Sequence, residues 1–210
     1  MALALSAATG AALLGANARH LSQEYRRVLA PPGHASSRTP LRLSFRELLY
    51  FQVVGCLSAQ GLQLSPAQKR EVFHVLARSS SRTPGGLPRE QVSPGGWSRG
   101  RGELRRAGAV PLSLDLSGVS RDLRYRYRLY KRSHALVESN PAICSGQPVF
   151  PGTRIPLAVV VEQLRGGVSR TEVESDFPQL SKQSLDFAEI QARLPNPPGR
   201  PRPQLTLQRG

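Results

Sequence analysis

The sequence predicts a mainly α-helical protein: an N-terminal helix-turn-helix or winged-helix-like module and a C-terminal homeodomain-like three-helix domain with a short β-hairpin. Three observations support this fold class. Amphipathic helical patterns with capping residues recur at both ends of the chain. Stretches rich in Gly, Pro and Ser separate them, and charge is unevenly shared between them. The predicted segments are 1–78, 79–109, 110–135, 136–194 and 195–210.

Positive charge is concentrated in the first two thirds of the chain. The 210 residues carry 29 Lys and Arg against 14 Asp and Glu, a net charge of +15. Residues 1–132 hold 21 basic and 7 acidic side chains, residues 133–194 hold 5 and 7, and residues 195–210 hold 3 and none. Such an excess on a folded region predicts a polyanionic partner, most often nucleic acid. An arginine-rich but merely solvated surface is the alternative.

Residues 6–29 have the pattern of two short helices joined by a turn at Gly15-Ala16-Asn17. Apolar residues of the second helix recur at core-facing positions, and its other face is polar and basic. The polar face comprises Arg19, His20, Gln23, Arg26 and Arg27. This rhythm is typical of a helix-turn-helix, whose second helix enters the major groove, so we expect these five residues to contact DNA. A helical hairpin that only packs is the alternative.

Two further helices and an insertion follow. Ser44 and Glu47 have capping-box spacing, and Pro66 stands at the first position of the next helix. These helices complete the N-terminal module at residue 78. Residues 79–109 are rich in Gly, Ser and Arg, which predicts a flexible insertion with at most a short strand, around Glu90 to Val92 or after Trp97. We expect Trp97 to anchor this insertion to the domain rather than to stack on a base.

A strand and a connecting helix are predicted between residues 110 and 135. As a strand, residues 121–132 would have arginines on one face and tyrosines on the other. As a helix, which we favour, the segment has one apolar stripe formed by Leu116, Val119, Leu123, Tyr127 and Tyr130. Arginines alternate with tyrosines in this segment, a pattern that can bind single-stranded nucleic acid. A connecting helix with a solvated arginine face is the slightly favoured interpretation.

In the C-terminal part, a stretch rich in turn residues is followed by the pattern of three short helices between residues 157 and 194. Their starts are marked by Ser169 with Glu172 three residues later, and by Ser181. The turn-rich part before them predicts a short extended segment and a tight hairpin. Helix 181–194 carries acidic as well as basic residues, so we expect this domain to contact a partner protein or a second copy rather than DNA.

Residues 136–194 also contain a motif series with defined order and spacing. Gly146-x-Pro148-Val149-x-x-Gly152-Thr153-Arg154-Ile155-Pro156 is followed by Gly167-Val168-Ser169 and by Asp176-Phe177-Pro178-x-Leu180. This series resembles domain-of-unknown-function family 433. Asn140 stands where the family usually has Asp, and Phe177 where it has Tyr. In longer members, the segment corresponding to 44–78 resembles the second part of a MerR-like winged-helix reader.

The resemblance implies an antitoxin of a type II toxin–antitoxin pair. Such a protein neutralises a PIN-like ribonuclease toxin encoded nearby and represses its own operon by binding operator DNA, here as a homodimer. Two arginines of the C-terminal tail, Arg200 and Arg202, are candidate toxin contacts. The motif residues Gly146, Pro148, Gly152, Thr153, Arg154 and Pro156 are expected to hold the local backbone or contact the partner. In the structural interpretation, Arg154 pairs with Asp176 or Glu174.

Other classes of function lack support in the sequence. There is no paired-carboxylate, Cys/His or phosphate-loop motif, so we expect no enzymatic activity and no cofactor. The two cysteines and four histidines lack metal-ligand spacing, so no metal site is expected. Residues 1–18 are apolar but lack a basic start, and no apolar run is long enough to span a bilayer, so we expect a cytoplasmic protein without membrane contact. A transcription regulator without a toxin partner is the alternative function.

Overall fold

The computed structural model describes residues 5–30, 40–77, 92–100, 102–108 and 111–195. Within these ranges the chain is mainly helical, with two small antiparallel sheets. This confirms the predicted mainly α class. None of the helices in these ranges combines the length and the apolar character needed to cross a bilayer.

The first two helices pack beside a two-stranded sheet. Helix α1 (Ala7–Leu14) is followed by α2 (Ala18–Glu24) and by a π-helical turn over Tyr25–Leu29. Strand β1 (Leu5–Ser6), just before α1, pairs antiparallel with strand β2 (Arg42–Leu43), which follows this pair of helices in the chain. The predicted second helix is therefore correct in position, but its last turn is π-helical.

The next two helices begin where the sequence predicts. Helix α3 (Phe45–Ala59) starts at Ser44, whose backbone N–H donates to the Glu47 carboxylate in a capping box. Helix α4 (Pro66–Ala77) starts with proline at its first position. Both helices bury their apolar faces in the main core, while His74 lies exposed on α4.

A three-stranded sheet follows, and its first strand lies where the sequence allows one after Trp97; residues 79–91, 101 and 109 of the predicted insertion lie outside the described residues. Strands β3 (Trp97–Arg99), β4 (Glu103–Arg106) and β5 (Leu112–Asp115) are antiparallel neighbours. Trp97 and Leu104, on neighbouring strands of this sheet, are both fully buried. Trp97 is thus an anchor, as predicted.

The connecting helix is α5 (Leu116–Lys131), followed by the single turn α6 (Ser133–Leu136). The Asp115 carboxylate caps α5 by accepting from the backbone N–H groups of Ser117 and Gly118. Leu116, Leu123 and Leu129 are buried. The helical interpretation of this segment is confirmed.

The C-terminal helices are α7 (Leu157–Arg165), α8 (Arg170–Asp176) and α9 (Lys182–Arg193). The predicted caps are present: Ser169 and Glu172 form a capping box, and the Ser181 hydroxyl accepts from the Ser184 N–H. The predicted β-hairpin before them is reduced to isolated bridges that pair Val149 with Glu138 and with Pro156. Pro148 and Pro156 have no backbone N–H, so a regular ladder cannot form here.

Two apolar cores meet at α9. The main core is built by the N-terminal helices, both sheets and α5, and the second core by α7, α8 and α9. Ile190 of α9 belongs to the main core, whereas Leu185 and Ala188 belong to the second. One helix therefore joins the two halves of the molecule through opposite faces.

Candidate nucleic-acid interface

The polar face predicted to contact DNA lies entirely in solvent. Its five residues lie on α2 and on the π-helical turn, and all five are exposed: Arg19, His20, Gln23, Arg26 and Arg27. Leu21 and Val28 are buried on the opposite side of the same segment. The structure therefore brings the five predicted side chains onto one surface, which we call the α2 face.

The start of α2 is fixed by the turn before it. Gly15 adopts a left-handed conformation with φ of 66°, which favours glycine, and ends α1. The Asn17 side chain then accepts from the backbone N–H groups of Arg19 and His20. This cap orients the first turn of α2 so that Arg19 and His20 point away from the core.

The charge of the α2 face is positive because the acidic residue within its own segment is paired with a lysine, while Glu47, which lies against Tyr25, belongs to the capping box of α3. Glu24 is the only acidic residue between 18 and 29. Its carboxylate accepts a hydrogen bond from the Lys69 ammonium of α4 at 2.6 Å, and the Glu24 side chain is only 14% exposed. The nearby Tyr50 hydroxyl is buried, and this burial, together with the charge of Glu24, raises its pKa above the usual value. Glu24 is therefore engaged on the inner side of the segment, and Arg19, Arg26 and Arg27 form no ion pair within the described part of the chain.

Sequence reasoning missed the π-helical turn at the end of the α2 face. The Ala30 N–H donates to the Tyr25 carbonyl, which closes the wider turn. Arg26 and Arg27 are both exposed in this turn while Val28 is buried. A turn that is one residue wider displaces the following side chains around the axis, and no residue type in the sequence marks it.

A second cluster of charges lies where α8 and α9 meet α5. The Arg170 guanidinium contacts three carboxylates, those of Glu174 at 2.9 Å, Asp186 at 2.6 Å and Glu189 at 2.8 Å. Burial lowers the pKa of Arg170, but the hydrogen bonds that the guanidinium donates to these carboxylates outweigh it and hold the pKa above its usual value. This cluster, the Arg170 cluster, holds more carboxylates than cations even when Arg193, 3.6 Å from Glu189, is counted, so it is not an anion site.

The Arg170 cluster also ties the C-terminal helices to α5. The Tyr125 hydroxyl donates to Asp186 at 2.6 Å. Burial, followed by this hydrogen bond and the charge of Asp186, raises the pKa of Tyr125 to about 12. Sequence reasoning did not find this contact; alternating Tyr and Arg on α5 was its only signal, and that signal favoured solvent exposure.

The motif loop between residues 146 and 156 is held by its own backbone and by one hydroxyl. Gly146 and Gly152 have φ of 79° and 72°, the left-handed region that favours glycine. Thr153 donates through its hydroxyl to the Phe150 carbonyl and accepts from the Ile155 N–H. Pro156 is the N-cap residue of α7. Both glycines thus occupy positions of this loop that favour glycine, and the Thr153 hydroxyl stabilises the turn.

The expected ion pair of Arg154 is wrong. Glu174 pairs with Arg170 instead, and Asp176 forms no ion pair within the described ranges. Arg154 itself is exposed and has no carboxylate partner in the part of the chain that the structure describes. Since Phe150 and Ile155 are buried on either side of the turn, the loop presents Arg154 to solvent from a fixed base.

Two predicted residues cannot be placed, because Arg200 and Arg202 lie outside the described residues. Among the described residues, no group of three or more His, Cys, Asp or Glu side chains is arranged to hold a metal ion.

Comparison with known proteins identifies one segment. Residues 137–189 match a family described as "Protein of unknown function (DUF433)". The match covers the motif loop and α7 through most of α9, which confirms the family resemblance for this segment of the chain. No curated protein and no solved structure matches the chain.

Proposed function

We propose that this protein is a DNA-binding antitoxin that represses its own operon through the α2 face and neutralises a PIN-like ribonuclease toxin. The observation that carries the DNA-binding part is the α2 face. Three arginines, one histidine and one glutamine are exposed together on it, while Glu24, the acidic residue of the same segment, is bound to Lys69. Arginine and glutamine are side chains that read guanine and adenine in the major groove. The helix-turn-helix role of α1 and α2 and the homeodomain-like role of α7 to α9 belong to this proposal.

The toxin-binding part rests on the C-terminal segment. Residues 137–189 match the family whose resemblance implies an antitoxin. Support from geometry comes from Arg154, an exposed cation on a fixed turn. PIN-like nucleases gather carboxylates around their metal ions, so an unpaired arginine has a complementary surface to bind. The tail arginines Arg200 and Arg202 remain proposed accessory contacts.

Binding to a duplex from the region upstream of its own gene tests the DNA-binding part. Arg19, Arg26 and Arg27 are replaced together by glutamine, and fluorescence anisotropy is measured over a range of salt concentrations. If all three contact phosphates, the slope of log affinity against log salt falls by about 3. A triple variant that binds like wild type would contradict the assignment to the α2 face.

Co-expression with the product of the neighbouring gene tests the toxin-binding part. We expect a stable complex and rescue of growth from a PIN-like toxin, and Arg154→Ala weakens both. No complex and no rescue, with DNA binding intact, would leave a transcription regulator without a toxin partner.

A further inference from the structure

A groove between β3, the start of α3 and the outer side of α5 is lined by several arginines and, among the residues that the structure describes, by no acidic side chain. Its volume is about 760 Å³. Its lining includes Arg99 of β3, Phe45 of α3, and Arg121, Arg124 and Arg128 of α5. None of the α2-face residues lines it, so it is a separate surface, which we call the α5 groove.

The three α5 arginines form a row. They are separated by three and four residues, which places them on one face of the helix. Seven residues of helix rise about 10 Å, which corresponds to about three base pairs of duplex DNA at about 3.4 Å each. All three are exposed, and none has a carboxylate partner in the described ranges.

Acidic residues near the groove are engaged elsewhere. Asp115 caps the start of α5, and Glu103 pairs with Arg105 at 2.6 Å. Asp122 lines a different cleft, beside the Arg170 cluster. The positive charge of the groove is therefore as uncompensated as that of the α2 face.

The groove is held in shape before any ligand binds. The Arg99 guanidinium donates to the Leu76 carbonyl at the end of α4, at 2.8 Å. Arg124 lies over the Phe45 ring, 5.7 Å from its centre. The Gly102 carbonyl accepts from the N–H groups of Leu116 and Ser117, which fastens the β3–β4 turn to α5. Arginines fixed in this way lose less conformational freedom on binding an anion.

We propose that the α5 groove is a second DNA-binding surface, which contacts the phosphate backbone of duplex DNA beside the segment that α2 reads. The inference rests on the proposed function in taking duplex DNA as the polyanion. Base stacking is not expected here, because Phe45 is covered by Arg124 and contacts the Tyr127 ring edge-on. Arginine binds phosphate through its planar fork without reading sequence. The groove therefore contributes affinity but little specificity.

The test uses the full chain and two matched double variants. Arg121→Gln with Arg128→Gln removes two groove charges and leaves the Arg124–Phe45 contact in place. Arg70→Gln with Lys182→Gln removes two exposed charges of α4 and α9 that lie outside the groove. Anisotropy is measured with an upstream duplex and with a scrambled duplex of equal length, and thermal unfolding checks that each variant is folded.

For the groove variant, we expect the slope of log affinity against log salt concentration to fall by about 2 on both duplexes. The ratio of wild-type affinity to variant affinity should therefore shrink about twelvefold between about 50 and about 200 mM salt. The control pair changes the slope by less than about 0.5. Equal effects of the two pairs, or no effect of the groove pair, would overturn the groove proposal. In that case, weaker DNA binding by the triple variant of the α2 face would still support the proposed function. A wild-type chain that binds neither duplex would overturn both the groove proposal and the proposed DNA binding.

Discussion

The α2 face and the Arg170 cluster contain similar side chains in opposite electrostatic situations. On the α2 face, arginines are exposed to solvent and Glu24, the acidic residue of the same segment, is bound to Lys69. In the Arg170 cluster, one guanidinium serves three carboxylates and joins two parts of the fold. The comparison shows that the net charge of the chain does not locate a polyanion site. What locates it is the set of cations that the fold leaves without partners.

The largest effect expected from this comparison is on stability. Arg170→Met removes the cation shared by Asp186 and Glu189, which are 15% and 26% exposed; Asp186 would keep only the Tyr125 hydroxyl and Glu189 only Arg193 at 3.6 Å. We expect a loss of about 2 kcal/mol in the free energy of unfolding, less than for a fully buried pair because water reaches part of the cluster. Urea unfolding measures it, with Arg27→Met as the matched control, for which we expect less than about 0.5 kcal/mol. A similar loss in both variants would contradict the distinction between the two sites.

Tyr125→Phe tests the link between the cluster and α5, with a smaller effect. Loss of the hydrogen bond to Asp186 is expected to cost about 1 to 2 kcal/mol at neutral pH.

The same variant has a defined pH dependence. The pKa of Tyr125 is raised to about 12 in the folded protein, against about 10 in the unfolded chain. Its contribution to stability is therefore complete below pH 10 and is lost as the pH rises towards 12. The difference between wild type and Tyr125→Phe should shrink over that window, and a difference that stays constant would show that the hydrogen bond is not formed.

Lys69→Met tests whether the ion pair with Lys69 of α4 neutralises Glu24 and so keeps the α2 face positive. Lys69 lies off the face, but its loss leaves the Glu24 carboxylate unpaired beneath the arginines. We expect DNA affinity to fall about threefold, consistent with one weakly screened charge. Combining it with Glu24→Gln should restore the affinity, because the double variant has no unpaired charge. Anisotropy with the upstream duplex measures both; failure of Glu24→Gln to restore binding would indicate that Lys69 itself contacts DNA.

The smallest effect is expected at Arg154, an arginine of the C-terminal segment that is exposed and unpaired in the described ranges. Arg154→Ala should change the free energy of unfolding by less than about 0.5 kcal/mol. Chemical denaturation alongside Arg170→Met gives the direct contrast. A loss above about 1 kcal/mol would assign Arg154 a role within the fold and weaken its proposed part in toxin binding.

Much of the helical fold was predictable because the signals are local. A capping box such as Ser44 with Glu47 acts within a single turn, so the spacing alone locates a helix start. Left-handed positions such as Gly15 and Gly152 are similarly local. The hairpin at Trp97 was not predictable from composition, because its stability comes from burial against a distant part of the chain.

The candidate site divides in the same way. Periodicity placed the five polar residues of the α2 face on one side of a helix, and the structure leaves all of them exposed. The pairing of Arg154 was predicted wrongly because an ion pair depends on which carboxylate the fold brings near. Glu174 lies four residues after Arg170 on α8, and it pairs with Arg170 rather than with Arg154.

By itself, the sequence determined where the helices begin, which faces are apolar, and that the first 132 residues carry the excess of positive charge. Caps, periodicity and charge counts are properties of neighbouring residues, so they survive without knowledge of the fold. The tertiary structure decided which charged residues form ion pairs. Arg170 and Glu24 are paired, whereas Arg121, Arg124 and Arg128 line a groove without a carboxylate partner in the described ranges. The reason is physical, since electrostatic interactions depend on distances between groups that are far apart in sequence.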